Sequence, residues 1–232
     1  MNNKNYSFPL MSSKVNMQNK LMDYKTLGIM TIFSNKKNDT EEGVEEMHRY
    51  LYKNRIIDNT HEIEGLSRNK INTVLKNIRK LSKIEGNSVL AANTPNGIVY
   101  YINYTSNGRE FVTIKEDMLR YLINVSNSNT IKIYVLLSYL CSNGEKNVTR
   151  EYIAEQIGLS KKSRSNLQEI SDITDMLSST GFIKIRQEYV TEARSDGSEC
   201  TKKYNYYKIN SHEDWMRKRI EKRKGWYSIK FI

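Results

Sequence analysis

Apolar residues fall at helical spacing in two separated stretches of the chain. Ile71, Val74, Leu75, Ile78 and Leu81 share one side of a helix at about 100° per residue, and Leu167, Ile170, Ile173 and Leu177 repeat the pattern. The triplet Gly-Leu-Ser precedes each stripe, at residues 65–67 and again at 158–160. A glycine there suits a tight turn between two helices. After each stripe the period shortens to two. Ser88–Ala92 and Ile98–Tyr104 read as strands joined by Asn93-Thr94-Pro95-Asn96-Gly97. Phe182–Thr191 and Lys203–Ile209 read the same way around a tip at Arg194–Ser198. The chain therefore reads as one supersecondary pattern used twice.

The segments before each triplet complete the pattern. Asp39 and Glu42 have capping-box spacing and predict a helix to about Asn54 carrying Val44, Met47 and Leu51 on one face, and a short helix follows over Asn59–Glu64. In the second copy Thr113 and Glu116 predict a capped helix with Met118, Leu119, Leu122 and Ile123 inward, followed by a buried helix over Thr130–Leu140. Thr149 caps the next helix, in which Tyr152, Ile153 and Ile157 point inward, and Gly158 ends it. The third helix spans about Ser163–Ser179 and closes at Gly181. Ser211 caps a terminal helix from His212 towards Lys224. Three helices followed by a hairpin is the order of a winged helix. The predicted fold class is α+β, mainly α with small β wings, in two tandem winged-helix modules over residues 23–110 and 111–210. Residues 1–22 show neither period and read as a flexible arm, and residues 211–232 form a basic C-terminal helix and tail.

Charge adds a partner to this picture. Among 232 residues, 37 Lys and Arg against 26 Asp and Glu leave a net charge of +11, which calls for an acidic partner. A hydrophobic share of 38% allows a packed core and excludes disorder throughout. The most apolar stretch, Ile131–Leu140, carries Lys132 and falls far short of the roughly 20 residues that span a bilayer. The N-terminus lacks the apolar run of a signal peptide, so the reading is a cytoplasmic protein without a membrane segment. Two cysteines predict reduced thiols, and three histidines supply metal chemistry poorly, so no cofactor or metal is expected.

The basic residues point to duplex DNA. In a helix-turn-helix the last helix lies in the major groove, and its solvent face holds phosphate and base-edge partners. Opposite the first apolar stripe lie Asn69, Asn72, Thr73, Lys76 and Lys80, with Arg68 and Arg79 at one margin, and no acid occurs from Arg68 to Leu81. Asparagine is a poor helix former whose amide can bond adenine, so Asn69 and Asn72 suit contact better than propensity. In the second copy Lys161, Lys162, Ser163, Arg164, Ser165 and Gln168 crowd the helix start, while Asp172 and Asp175 follow on the same side and would repel phosphate. Only the N-terminal half of that helix is then expected at DNA. Arg194, Lys202 and Lys203 add cations at the second wing. The terminal helix is also basic, but with Ile220 as its apolar contribution it makes a poor membrane helix.

Enzyme signatures are thin. No Walker-type loop, paired metal-spaced histidines or His-x-His is present, and His48-Arg49 lacks the spacing of a tyrosine recombinase box. A DNA-nicking or recombining enzyme would have to draw its nucleophile from Tyr204, Tyr206 or Tyr207. An adaptor that recruits replication machinery is a third reading, supported by Asp172, Asp175 and the acidic segment Glu41–Glu46.

The series Phe111-Val112-Thr113-Ile114, Ile131–Leu137, Thr149–Ala154, Gly158-Leu159-Ser160 and Gly181-Phe182-Ile183 resembles the winged-helix part of replication-initiator and replisome-organiser proteins from plasmids, phages and AT-rich bacteria. The resemblance covers roughly residues 111–190. It implies sequence-specific binding of double-stranded DNA, often at repeated sites, without a catalytic step. Transcriptional control by the same binding mode stays open, as do a homodimer and contacts with replication or transcription proteins.

Overall fold

A computed structural model describes residues 4–9, 17–38, 46–53, 57, 68–84, 89–105, 111–193 and 198–229. The protein is mixed α+β, and its sheets are small and antiparallel. It divides into two compact units, Met1–Val135 and Leu136–Ile232.

The first unit contains strand β1 (Asn5–Pro9), helix α1 (Tyr24–Phe33), strands β2 (Asn35–Asn38) and β3 (Glu46–Tyr52), and helix α2 (Arg68–Leu81). Strands β4 (Val89–Thr94), β5 (Gly97–Thr105) and β6 (Phe111–Lys115) follow, then helix α3 (Glu116–Val125). Helix α4 (Ser128–Leu140) runs through the boundary between the units. Strands β2-β3-β5-β4 form one sheet, and β1 pairs with β6 in another.

Several expectations change here. The helix predicted from Asp39 to about Asn54 is replaced, over its described residues, by β3, because residues 46–52 pair with Val99–Thr105 of β5 and with β2. Met47 and Leu51 have helical spacing but lie on a strand whose partner is some fifty residues downstream. The short helix at Asn59–Glu64 and the first Gly-Leu-Ser triplet lie outside the described residues.

The N-terminal segment is not simply a flexible arm. Phe8 is fully buried and stacks on Tyr24 with ring centroids 6.4 Å apart, and Tyr6, Met17 and Met22 are buried as well. Phe8 pairs with Val112 and Tyr6 with Ile114, so the opening strand shields β6. Residues 111–135 accordingly belong with the first unit, whereas the sequence reading starts a new module at 111. Thr113 does not cap α3: it lies within β6, the cap position is Lys115, and Asp117 Oδ1 accepts from the Met118 amide.

Helix α1 is apolar nearly all round, with nine of its ten residues buried. Asp23 caps it by accepting from the Lys25 and Thr26 amides, and also accepts from Asn77 Nδ2 on α2 at 2.9 Å. A side chain at Gly28 would meet Ile123 Cδ1 at 3.1 Å, which shows how closely α1 and α3 approach.

Lys132 is the unusual core residue, at 2% exposure. Its ammonium donates to the carbonyl oxygens of Met17 and Asn19 and stands 5.9 Å from the Tyr24 ring centroid. Burial lowers its pKa to about 8, against a smaller upward pull from Asp23. The unfolded chain then binds more protons than the folded one between about pH 8 and the ordinary lysine value. Stability should rise with pH through that window by up to about 3 kcal/mol, and stay flat with respect to this group below it. Urea unfolding of wild type and Lys132→Met across pH 7–10 checks this: the wild-type stability should gain on that of the variant as pH rises, and parallel pH profiles would refute it.

The second unit follows the predicted order. Strand β7 (Lys146–Asn147) precedes helices α5 (Arg150–Gln156) and α6 (Arg164–Ser179), then strands β8 (Ile183–Ala193) and β9 (Glu199–Ile209) and helix α7 (His212–Ile229). Thr149 caps α5 through the Tyr152 amide, as its position predicts. Gly158 at φ 81° lets the Leu159 amide reach the Ala154 carbonyl, and Gly181 at φ 86° does the same for Phe182 and Leu177. Both helices thus end in the six-to-one bond that a left-handed glycine permits. Ile153, Ile157, Ile170, Ile173 and Leu177 are buried as expected; Tyr152 is not, at 41% exposure. Trp215 of α7 is fully buried, with its ring centroid 5.5 Å from that of Phe182. No described helix is long and apolar enough to cross a membrane.

Candidate nucleic-acid interface

Helix α2 presents two distinct sides. Val74, Leu75, Ile78 and Leu81 are buried, and the opposite side carries Asn72, Thr73, Lys76, Arg79 and Lys80, all exposed. The predicted polar face of the helix is thus exposed, with Arg79 at its margin. Arg68 and Asn69 begin the same helix, but their side chains lie outside the described residues. No ion pair among the described residues engages Lys76, Arg79 or Lys80. Arg79 and Lys80 occupy the last turn, where they also complement the negative end of the helix dipole. Asn77 is the exception among the helix's polar residues, because its amide ties α2 to Asp23.

In the second unit, α6 is positioned by its own start. Ser163 accepts from the Asn166 amide as the N-cap and shares a 2.8 Å hydrogen bond with the Ser165 hydroxyl. Asn166 Nδ2 donates to the Ser160 carbonyl, bracing the turn. Lys162, Arg164, Ser165 and Gln168 are exposed at this end. Lys161 is also exposed but forms a 3.1 Å ion pair with Glu155. Asp172 and Asp175 are exposed on the same side further along, and Gln168 Nε2 donates to Asp172 Oδ1 at 2.8 Å.

The hairpin of β8 and β9 is longer than its sequence predicts. Each strand has eleven residues, a reach of roughly 35 Å. Its register places Lys202 opposite Val190 and Lys203 opposite Tyr189, so these neighbouring lysines project from opposite faces. Lys202 is held by Glu192, which also accepts from the Tyr204 hydroxyl at 3.0 Å. These contacts lower the Glu192 pKa and raise that of Lys202. Lys202 thus has an intrahairpin partner on the exposed surface, whereas no ion pair among the described residues engages Lys203. Arg194 lies outside the described residues.

Lys202 and Lys203 both border a cavity of about 320 Å³, lined also by Arg150, Gln187 and the acids Glu151 and Asp175. Arg150, exposed at the first position of α5, joins these two lysines there. Its place directly after the Thr149 cap was the available signal. Two cations of the terminal helix serve the fold: Lys218 Nζ donates to the Ser178 carbonyl, and the Arg219 guanidinium lies 4.8 Å from the Trp215 ring centroid.

The three tyrosines of β9 sit in different environments. The hydrogen bond to Glu192 raises the Tyr204 pKa, and burial raises that of Tyr207. Tyr206 lies under the Arg186 guanidinium, 4.2 Å from its ring centroid. Among the described residues no group of three or more His, Cys, Asp or Glu could hold a metal ion.

No protein-family model matches the sequence, and no curated protein matches it either.

Proposed function

We propose that this chain is a sequence-specific double-stranded DNA-binding protein of a bacterium or its plasmid or phage, acting in the cytoplasm in replication initiation through two winged-helix modules and without a catalytic step. The observation that carries the reading is the exposed side of α2, where Lys76, Arg79 and Lys80 surround Asn72 and Thr73 with no acid on the helix. Cations set phosphate affinity and register, and the amide and hydroxyl between them suit base edges. The order of helix, turn, helix and long hairpin from α5 to β9 supports a winged helix in the second unit. In the first unit, β2 and β3 extend the hairpin to a four-stranded sheet, so that module departs from the simplest form. The raised pKa values of Tyr204 and Tyr207 support binding over strand cleavage at those two residues.

Selection from a random duplex library should return a defined sequence. If about six phosphates are neutralised, log K should fall with log salt at a slope of roughly −5. Failure to select any duplex, or binding indifferent to salt, would overturn the proposal. Supercoiled plasmid incubated with the protein and a divalent metal should remain unnicked. A plasmid carrying the selected repeats should replicate only when the protein is supplied; a reporter that responds while replication does not would point to transcriptional control.

A further inference from the structure

Gln168 and Asp172 form a hydrogen-bonded pair on the exposed side of α6, just where basic residues give way to acids. We infer that Asp172 is a positioning residue that orients the Gln168 amide to read an adenine, an inference that rests on the duplex-DNA reading above. Repulsion of phosphate alone would make Asp172 a liability on this helix. The 2.8 Å contact from Gln168 Nε2 to Asp172 Oδ1 gives it another use.

An ionised carboxylate only accepts hydrogen bonds, so it can face only the nitrogen end of the amide. That removes the ambiguity of amide orientation and leaves the second Nε2 hydrogen and Oε1 available. Adenine in the major groove offers N7 as acceptor beside the N6 amino donor, and the oriented amide matches that pair. Guanine presents two acceptors there, and its O6 would face Gln168 Oε1 unfavourably. Gln168 lies one turn after Arg164 on the same side of the helix, and Lys162 precedes both. Cations at the helix start thus hold the backbone while the amide lies one turn deeper along the groove. Asp172, a further turn along, acts through the amide.

The test starts from the duplex selected by the wild-type protein, with each base pair then substituted singly. Affinities are measured for wild type, Gln168→Ala, Asp172→Asn and Asp172→Glu. Wild type should prefer adenine at one position by about tenfold. Gln168→Ala should lose that preference alone. Asp172→Asn should reduce it several-fold while overall affinity holds or rises, and Asp172→Glu, which keeps an acceptor-only group one methylene away, should recover most of it. Both positions are solvent-exposed, and matching thermal unfolding curves would show that the fold is intact. An unchanged adenine preference in Asp172→Asn, or a uniform loss across all positions in Gln168→Ala, would overturn this inference and leave DNA binding standing. A wild-type protein that selects no duplex would refute the DNA reading itself before any variant is made.

Discussion

Reversing three charges on α2, as Lys76→Glu, Arg79→Glu and Lys80→Glu together, should weaken binding to the selected duplex at least about a hundredfold at physiological salt. Each reversal removes one attraction to phosphate and adds one repulsion, each on the order of 1 kcal/mol at close range even in a water-like dielectric. Three reversals therefore amount to several kcal/mol, and about 1.4 kcal/mol is already tenfold. The side chains are exposed and have no ion-pair partner among the described residues, so the thermal midpoint should move little. The salt slope should also become shallower by about three contacts. Fluorescence anisotropy titrations at several salt concentrations measure both quantities. Asp175→Asn is the control on α6 and should cost nothing. Equal losses from Lys76→Glu alone and Asp175→Asn would refute the assignment of the two helix faces.

Trp215→Ala should be the most destabilising single substitution in the second unit, at roughly 3–5 kcal/mol. The indole is fully buried against Phe182, and its ring also carries Arg219. Removing it leaves a cavity at the point where α7 meets the end of α6. There Lys218 lies against Gly181, whose absent side chain makes room: a Cβ would come within 2.8 Å of Lys218 Cδ. Urea unfolding followed by circular dichroism should show the loss. Ile220→Ala, at a site 49% exposed, should change stability by no more than about 0.5 kcal/mol. A loss below about 1 kcal/mol for Trp215→Ala would mean that α7 is not docked as described.

Local chemistry made much of the second unit readable. Thr149 and Ser163 are caps, Gly158 and Gly181 are left-handed helix ends, and the stripe of Ile170, Ile173 and Leu177 is buried, because each depends on neighbours within a few residues. The solvent side of α2 was readable for the same reason: helical periodicity alone separates Lys76 from Val74.

Elements whose partners are remote were not. Strand β3 has helical spacing at Met47 and Leu51 and becomes a strand through hydrogen bonds to residues 99–105. Strand β1 is five residues in a polar segment, ordered by a partner more than a hundred residues away. Helix α1 shows no amphipathic stripe because neighbours cover nearly all of it, and periodicity marks only elements with one wet side. Lys132 looked like an interruption of an apolar helix, yet its ammonium is satisfied by two backbone carbonyls of the opening segment.

Candidate contacts divide along the same line. The sequence by itself determined which helices are basic, where acids interrupt them and where the hairpins turn, since these follow from residue order and period. Only the tertiary structure decided that Lys202 pairs with Glu192 and that Lys202, Lys203 and Arg150 border one cavity. It likewise decided that Lys218 and Arg219 support the fold and that Gln168 is oriented by Asp172. A charge is present wherever the residue is written. Whether it remains available depends on the groups that folding brings within hydrogen-bond reach.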